Sequence, residues 1–334
     1  MTTTIPLRPV PATSRPAAMP LPEPRAITPA LRTAAPALLR SIPRNADPDF
    51  PYAPLAYTPR TVEGHKLLAL DPPGGPRVVE VFGDLVTADH IVVMVPGNGH
   101  HQGNYFRARG PLALRSRAQL MLATTAGIDP EARVAVVAWV GYRTAPDLRA
   151  SFAIRYAREG AGDLARLTHY LPRSAHLTVV GHSYGTTVTG LALADARIDD
   201  VVALGSPGMG LRHRTDTGRR ARIWAAQAPT DWIRHFPRVR FGPLGLGRSP
   251  LHPAFGAVRI GTGDITGHLA YYDEGSESLL NAARIALGRF AEVTLHDGGT
   301  SVPRPELAPP GAAAPRPAGG PAGTAATTTL VRAA

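Results

Sequence analysis

Short β-branched apolar runs alternate with helical stretches from residue 66 onward. Residues 66–71 and 77–84 read as strands joined by Pro72-Pro73-Gly74-Gly75, a strong turn signal, and predict an antiparallel pair at a sheet edge. Residues 90–97 (HIVVMVPG), 133–141 (RVAVVAWVG), 176–183 (HLTVVGHS) and 200–205 (DVVALG) are continuous apolar runs, the pattern of strands covered on both faces. Residues 221–228 and the shorter run 257–261 extend the series. Between them, residues 151–171 set Phe152, Tyr156, Gly160, Leu164, Leu167 and Leu171 on one helical stripe. Residues 112–125, 184–194 and 277–291 are further helices, the last with Leu279, Leu280, Ala283 and Leu287 on one face. This alternation predicts the α/β class: right-handed crossovers and a mostly parallel sheet with helices on both faces.

The two ends differ from this middle. Of 35 prolines in 334 residues, 21 fall in residues 1–60 and 301–334. Residues 1–60 read as a disordered Pro-rich arm, with 28–42 as the best local candidate for a turn or two of helix, and residues 298–334 as a disordered Ala/Pro/Gly-rich tail. One domain is then expected over residues 61–297.

Composition removes several chemistries. With no cysteine there is no disulfide framework, zinc–thiolate site, iron–sulfur cluster or cysteine nucleophile. The net charge of +11 includes +3 from residues 1–50 and +2 from 301–334, leaving +6 for the middle. No basic face with interleaved aromatics accompanies it, so nucleic acid is not an expected partner. Only the cluster Arg212, Arg214, Arg219, Arg220 and Arg222 stands out; in a cap over the site it would favour an anionic substrate. No segment approaches the ~20 apolar residues of a membrane span, and no apolar run of a secretory signal follows the first arginines. A cytoplasmic location is expected.

The candidate chemistry centres on Gly181-His182-Ser183-Tyr184-Gly185, a Gly-x-Ser-x-Gly pattern placed where an apolar run ends and a helical one begins. Strand, sharp turn and helix are what a nucleophile elbow requires: small flanks let the helix return against its strand, and the serine hydroxyl is held at the C-terminal edge of the sheet. A bland alternative makes Ser183 only the helix N-cap. Ser183 as nucleophile needs a histidine base and an orienting acid, which follow it in the chain order serine, acid, histidine. His268 fits as base, lying in a glycine-flanked loop between the last strand and the last helix. Asp231 fits as acid, because it closes a strand at the same edge as Ser183, whereas Asp199 and Asp200 open one. Asp264, four residues before His268, is the competing acid. The oxyanion requires two backbone N–H donors: Tyr184, after the nucleophile, and Asn98 in the glycine-rich loop 96–103, with Gly99 as the alternative. His100-His101 lack converging partners in sequence, so neither metal nor other cofactor is expected.

Five motifs in order, VPGNG (95–99), VVAWVGY (136–142), VVGHSYGTTVTG (179–190), DDVVALGSPGMG (199–210) and GHLAYY (267–272), resemble those of an actinobacterial α/β-hydrolase family of unknown function, over roughly residues 63–290. The resemblance implies an α/β-hydrolase fold and the triad Ser183, Asp231, His268. Arg143 and Thr144 stand where family members often carry an acid, and the Pro-rich first 60 residues are unlike the helical region of many relatives. The expected activity is a serine hydrolase acting on the ester or related acyl bond of a small molecule. An acyltransferase or thioesterase on the same fold, or a catalytically inactive binding module, are the alternatives.

Overall fold

The computed structural model describes residues 50–106, 113–145, 150–217, 221–235 and 245–296. Residues 28–42 and the tail from 298 onward therefore lie outside the described residues, as do Arg219 and Arg220. Nine strands among the described residues form one sheet in the order β1-β2-β3-β5-β4-β6-β7-β8-β9. They are β1 (Arg60–Val62), β2 (His65–Leu70), β3 (Val78–Phe82), β4 (His90–Val95), β5 (Val134–Val140), β6 (His176–His182), β7 (Asp200–Leu204), β8 (Arg222–Ala226) and β9 (Val258–Arg259). β1 to β3 run antiparallel and β3 meets β5 antiparallel, while every pairing from β5 to β9 is parallel.

The continuous apolar runs sit in the middle of this sheet, and their residues divide between two cores with period two. In β4, Ile91, Val93 and Val95 face one core, and Val92 and Met94 the other. β5 divides the same way, with Ala135, Val137 and Trp139 against Val136, Ala138 and Val140. Helices α3 (Arg155–Tyr170) and α4 (Tyr184–Ala192) cover the first face; α2 (Leu114–Ile128) and α5 (Glu277–Ala286) cover the second, with the short α1 (Gln102–Tyr105) after β4. This is the α/β architecture expected from the alternation. None of these helices is long and apolar enough to cross a membrane.

The differences lie at the margins. The hairpin 66–84 is not the outer edge: β1 adds one more strand, too short at three residues to carry a periodic signal. The last helix stops at Ala286 rather than 291, because Gly288 takes a left-handed φ of 72°. Residues 50–59, read from their prolines as part of the arm, lie on the body. Leu55 is buried, its N–H donates to Asp163 Oδ1 at 2.7 Å, and the Tyr52 hydroxyl donates to Asp163 Oδ2. Tyr57 donates to the Asp163 carbonyl at 2.8 Å and accepts from Trp139 Nε1 at 3.1 Å. Asp163 is a fully buried carboxylate on α3, which also faces Arg77 and Arg166. A group of that kind requires donors, and this proline-rich segment supplies several of them.

Candidate active site

β6 ends at His182, and Ser183 makes the turn into α4 with φ 53° and ψ −130°. A positive φ on a residue with a Cβ is strained, and such strain persists only where the surroundings impose it. Here Ser183 N–H donates to Leu204 O at 2.9 Å, and Thr186 N–H donates back to Ser183 O at 3.0 Å. Ser183 precedes the helix, yet its side chain makes no capping hydrogen bond. Its Oγ instead lies 2.8 Å from His268 Nε2, to which the hydroxyl donates. The N-cap alternative is therefore not what this side chain does.

His268 Nδ1 faces Asp231, 2.9 Å from each carboxylate oxygen. Asp231 is completely buried, and its position follows from strand direction: β8 runs parallel to β6 and delivers it to the same edge as the serine. Asp231 also accepts from Ile233 N–H at 2.9 Å, so it caps the short turn Trp232–His235 and faces the histidine at once. The competing Asp264 is exposed, and His268 Nδ1 bonds to Asp231. Thr230 Oγ1 accepts from Gly267 N–H at 2.8 Å, tying the acid loop to the histidine loop.

Two neighbours of this array, Tyr271 and Gly205, were not singled out from the sequence, and a third, His182, packs beside the elbow. Tyr271 donates to Asp231 Oδ2 at 2.6 Å and accepts from Ala228 N–H at 2.9 Å. Burial, and then the Asp231 carboxylate, push the Tyr271 hydroxyl above the ordinary phenol range, so it stays a donor. His182 donates from Nε2 to the His268 carbonyl at 2.7 Å, and its ring lies 4.8 Å from that of His268. Burial holds His182 well below the usual histidine value, with His268 adding to the effect, so the ring is neutral and its tautomer is set by that bond. Gly205, at φ 54°, ends β7 beneath the acid: a Cβ there would meet Asp231 Oδ2 at 2.9 Å, Tyr271 at 3.0 Å and His268 Cε1 at 3.2 Å. The motifs GHLAYY, VVGHSYGTTVTG and DDVVALGSPGMG contain Tyr271, His182 and Gly205, but nothing in them marks the roles these residues take.

The loop after β4 closes over the serine. A Cβ on Gly97 would come within 2.7 Å of Ser183 Cβ, so only glycine lets this backbone approach Ser183. Tyr142 donates to the Pro96 carbonyl at 2.8 Å. Asn98 follows, its side chain donating to Ser151 Oγ at 2.6 Å and accepting from Ala145 N–H at 3.2 Å, which fixes the peptide that carries its own N–H. Tyr184 is the first residue of α4, whose opening N–H groups have no acceptor within the helix. Its hydroxyl donates to the Ala153 carbonyl at 2.6 Å. His100, in the same loop, is buried and donates from Nδ1 to the Gly97 carbonyl; desolvation lowers its pKa to about 4.

Of the arginine cluster, Arg222 is turned away from this site. Arg222 opens β8 at the opposite edge, where it pairs with Asp200 at 2.7 Å and lies 3.8 Å over the Phe290 ring. Arg212 and Arg214 are exposed, and Arg219 and Arg220 lie outside the described residues.

A family model described as "Alpha/beta hydrolase" matches residues 71–241, about half of the chain. The chain belongs to this α/β-hydrolase family. The matched span contains Ser183 and Asp231 and ends before His268. Among similar proteins, the uncharacterized protein Rv2079 of Mycobacterium tuberculosis is 31% identical over 310 residues, covering 79% of this chain and 43% of the relative. The uncharacterized protein Mb0988c of Mycobacterium bovis is 33% identical over 165 residues, covering 46% and 62% respectively. The α/β-hydrolase chain thus spans less than half the length of the first of these relatives. Among solved structures, XC6422 from Xanthomonas campestris, described as an α/β serine hydrolase without lid, aligns with a TM-score of 0.37 at 17% identity, over 70% of this chain and 97% of its own. Est1E from Butyrivibrio proteoclasticus aligns with a TM-score of 0.37 at 14% identity and the same coverages.

Proposed function

We propose that this α/β-hydrolase is a serine hydrolase that cleaves the ester or related acyl bond of a small-molecule substrate through an acyl-enzyme. Ser183 Oγ attacks the carbonyl carbon while His268 Nε2 takes the hydroxyl proton; Asp231, on Nδ1, holds the productive tautomer and stabilises the imidazolium. The tetrahedral oxyanion is received by the backbone N–H groups of Tyr184 and Asn98. Collapse breaks the carbonyl–oxygen bond, and the leaving alcohol takes its proton from His268. Water, deprotonated by the same histidine, then attacks the acyl-enzyme and frees Ser183. No step calls for a cofactor.

The observation that supports this reading is the unbroken hydrogen-bonded line from Ser183 Oγ through His268 to Asp231, each member delivered from a different part of one sheet edge. A fluorophosphonate probe tests it: the wild type is labelled and Ser183→Ala is not. A folded, unlabelled wild type would overturn the reading and favour a binding module. Product analysis with added alcohol or thiol then shows whether water or another acceptor resolves the acyl-enzyme. The cytoplasmic compartment is part of the proposal and is checked by fractionating cells that express the tagged chain.

A further inference from the structure

Three large apolar side chains are exposed among the described residues: Val86 at 60%, Trp232 at 50% and Leu269 at 40%. Val86 precedes β4 and so lies at the sheet edge away from Ser183. The other two flank His268. The Trp232 ring lies 4.9 Å from that of His268, tilted by 55°, and Leu269 is the next residue in the chain.

Scattered exposed apolar residues need no explanation. These two sit on backbone that is held from several sides. Gly267 is tied to Thr230, and Asp231 binds Ile233 N–H directly after Trp232. Arg117, itself buried, donates from Nη2 to the Leu269 carbonyl at 2.7 Å. Two exposed apolar side chains are thus carried on fixed loops at the proposed base, one with its ring against the His268 ring and the other next to it in the chain.

We propose that Trp232 and Leu269 form an apolar subsite for the alcohol part of the substrate, so that the enzyme favours esters with a hydrocarbon leaving group. This rests on the serine-hydrolase reading. The histidine hands its proton to the leaving oxygen, so the leaving group must lie on the histidine side of the scissile carbonyl. Whatever covers a patch in contact with the His268 ring sits beside that oxygen. A protein partner does not fit these facts: a stable interface buries ~1,600 Å², and one seated here would shut Ser183 off from any substrate.

The experiment is a series of alkyl acetates from methyl to hexyl, set against methyl esters of lengthening acyl chain, each below its aggregation limit, with acid release followed at constant pH. Acylation includes loss of the alcohol, so kcat/KM for the acetates rises with alcohol length, by up to about fourfold for each fully buried methylene. Once deacylation limits the rate, kcat is common to all acetates because the same acetyl-enzyme is hydrolysed. Trp232→Ala and Leu269→Ala flatten the dependence on alcohol length, cutting the hexyl-to-methyl ratio about tenfold, while Trp232→Phe keeps most of it; thermal melts check that each variant is folded. A wild type that hydrolyses the acetates without regard to alcohol length, one whose preference follows only the acyl chain, or a slope that survives in Trp232→Ala, overturns the subsite and leaves the serine reading standing. A wild type that neither reacts with the fluorophosphonate nor hydrolyses any ester overturns both.

Discussion

The Tyr271 hydroxyl donates to Asp231 Oδ2 at 2.6 Å while accepting the Ala228 amide at 2.9 Å, so one side chain ties the carboxylate to the backbone of the loop that carries it. Tyr271→Phe removes the donor and strands a buried N–H, at a cost of about 1–3 kcal/mol in stability. The carboxylate loses the side-chain donor that holds it toward His268, and kcat/KM is expected to fall about tenfold. A melt that shifts while kcat/KM stays in place would limit Tyr271 to packing.

Ser183 occupies a backbone conformation that glycine adopts freely. Ser183→Ala and Ser183→Gly both abolish fluorophosphonate labelling, but they diverge in stability. Relief of the strained φ makes the glycine variant more stable than the alanine variant by about 1 kcal/mol, against the usual cost of glycine. Urea unfolding of the two proteins measures that difference. Equal midpoints would mean that the turn stores no strain.

Gly205 has room for a hydrogen and for little else. Gly205→Ala sets a methyl group against Asp231, Tyr271 and His268 together, at a φ where alanine is itself disfavoured. Displacing the acid and base by a fraction of an ångström is expected to lower kcat about 10²-fold. Single-turnover acylation kinetics with a chromogenic ester provide the measurement, with circular dichroism to confirm the fold.

His100 gives stability a pH dependence of definite sign. Burial lowers its pKa to about 4 in the folded chain, against about 6.5 when unfolded. Between these values the unfolded chain binds the additional proton, so stability is full above pH 6.5 and declines as the pH falls toward 4, by about 3 kcal/mol from this group. His182, also held low by burial, acts in the same direction. His100→Asn, which can still donate to the Gly97 carbonyl, is expected to lose much of that acid sensitivity in chemical denaturation at pH 4.5 and 7. Parallel pH dependences for the two proteins would show that His100 does not carry it.

The centre of the sheet was readable from residues because burial on both faces leaves no polar alternation: β4 to β7 are apolar runs whose ends coincide with the structure to within a residue or two. Strand direction then narrowed the position of the acid, since a residue closing a parallel strand shares an edge with Ser183 and one opening it cannot. What stayed hidden depends on contacts distant in sequence. Tyr271 reaches an acid 40 positions earlier, and Gly205 matters only because β7 lies between the serine and the acid. Three-residue β1 has no period to detect, and the arginines looked like one cluster until Arg222 proved to be turned to the far edge by its strand.

The segment before β1 has a practical consequence for anyone trimming this chain. A deletion placed at residue 60, where the proline content falls, would take away Tyr52, Leu55 and Tyr57 and leave Asp163 facing Arg77 and Arg166 without its neutral donors. A start upstream of Phe50 keeps them. Composition marks this stretch as expendable, but it works as a latch, fastening the helix that packs beside the elbow helix to the outer half of the sheet, and a protease that cuts between Tyr52 and Tyr57 would release it.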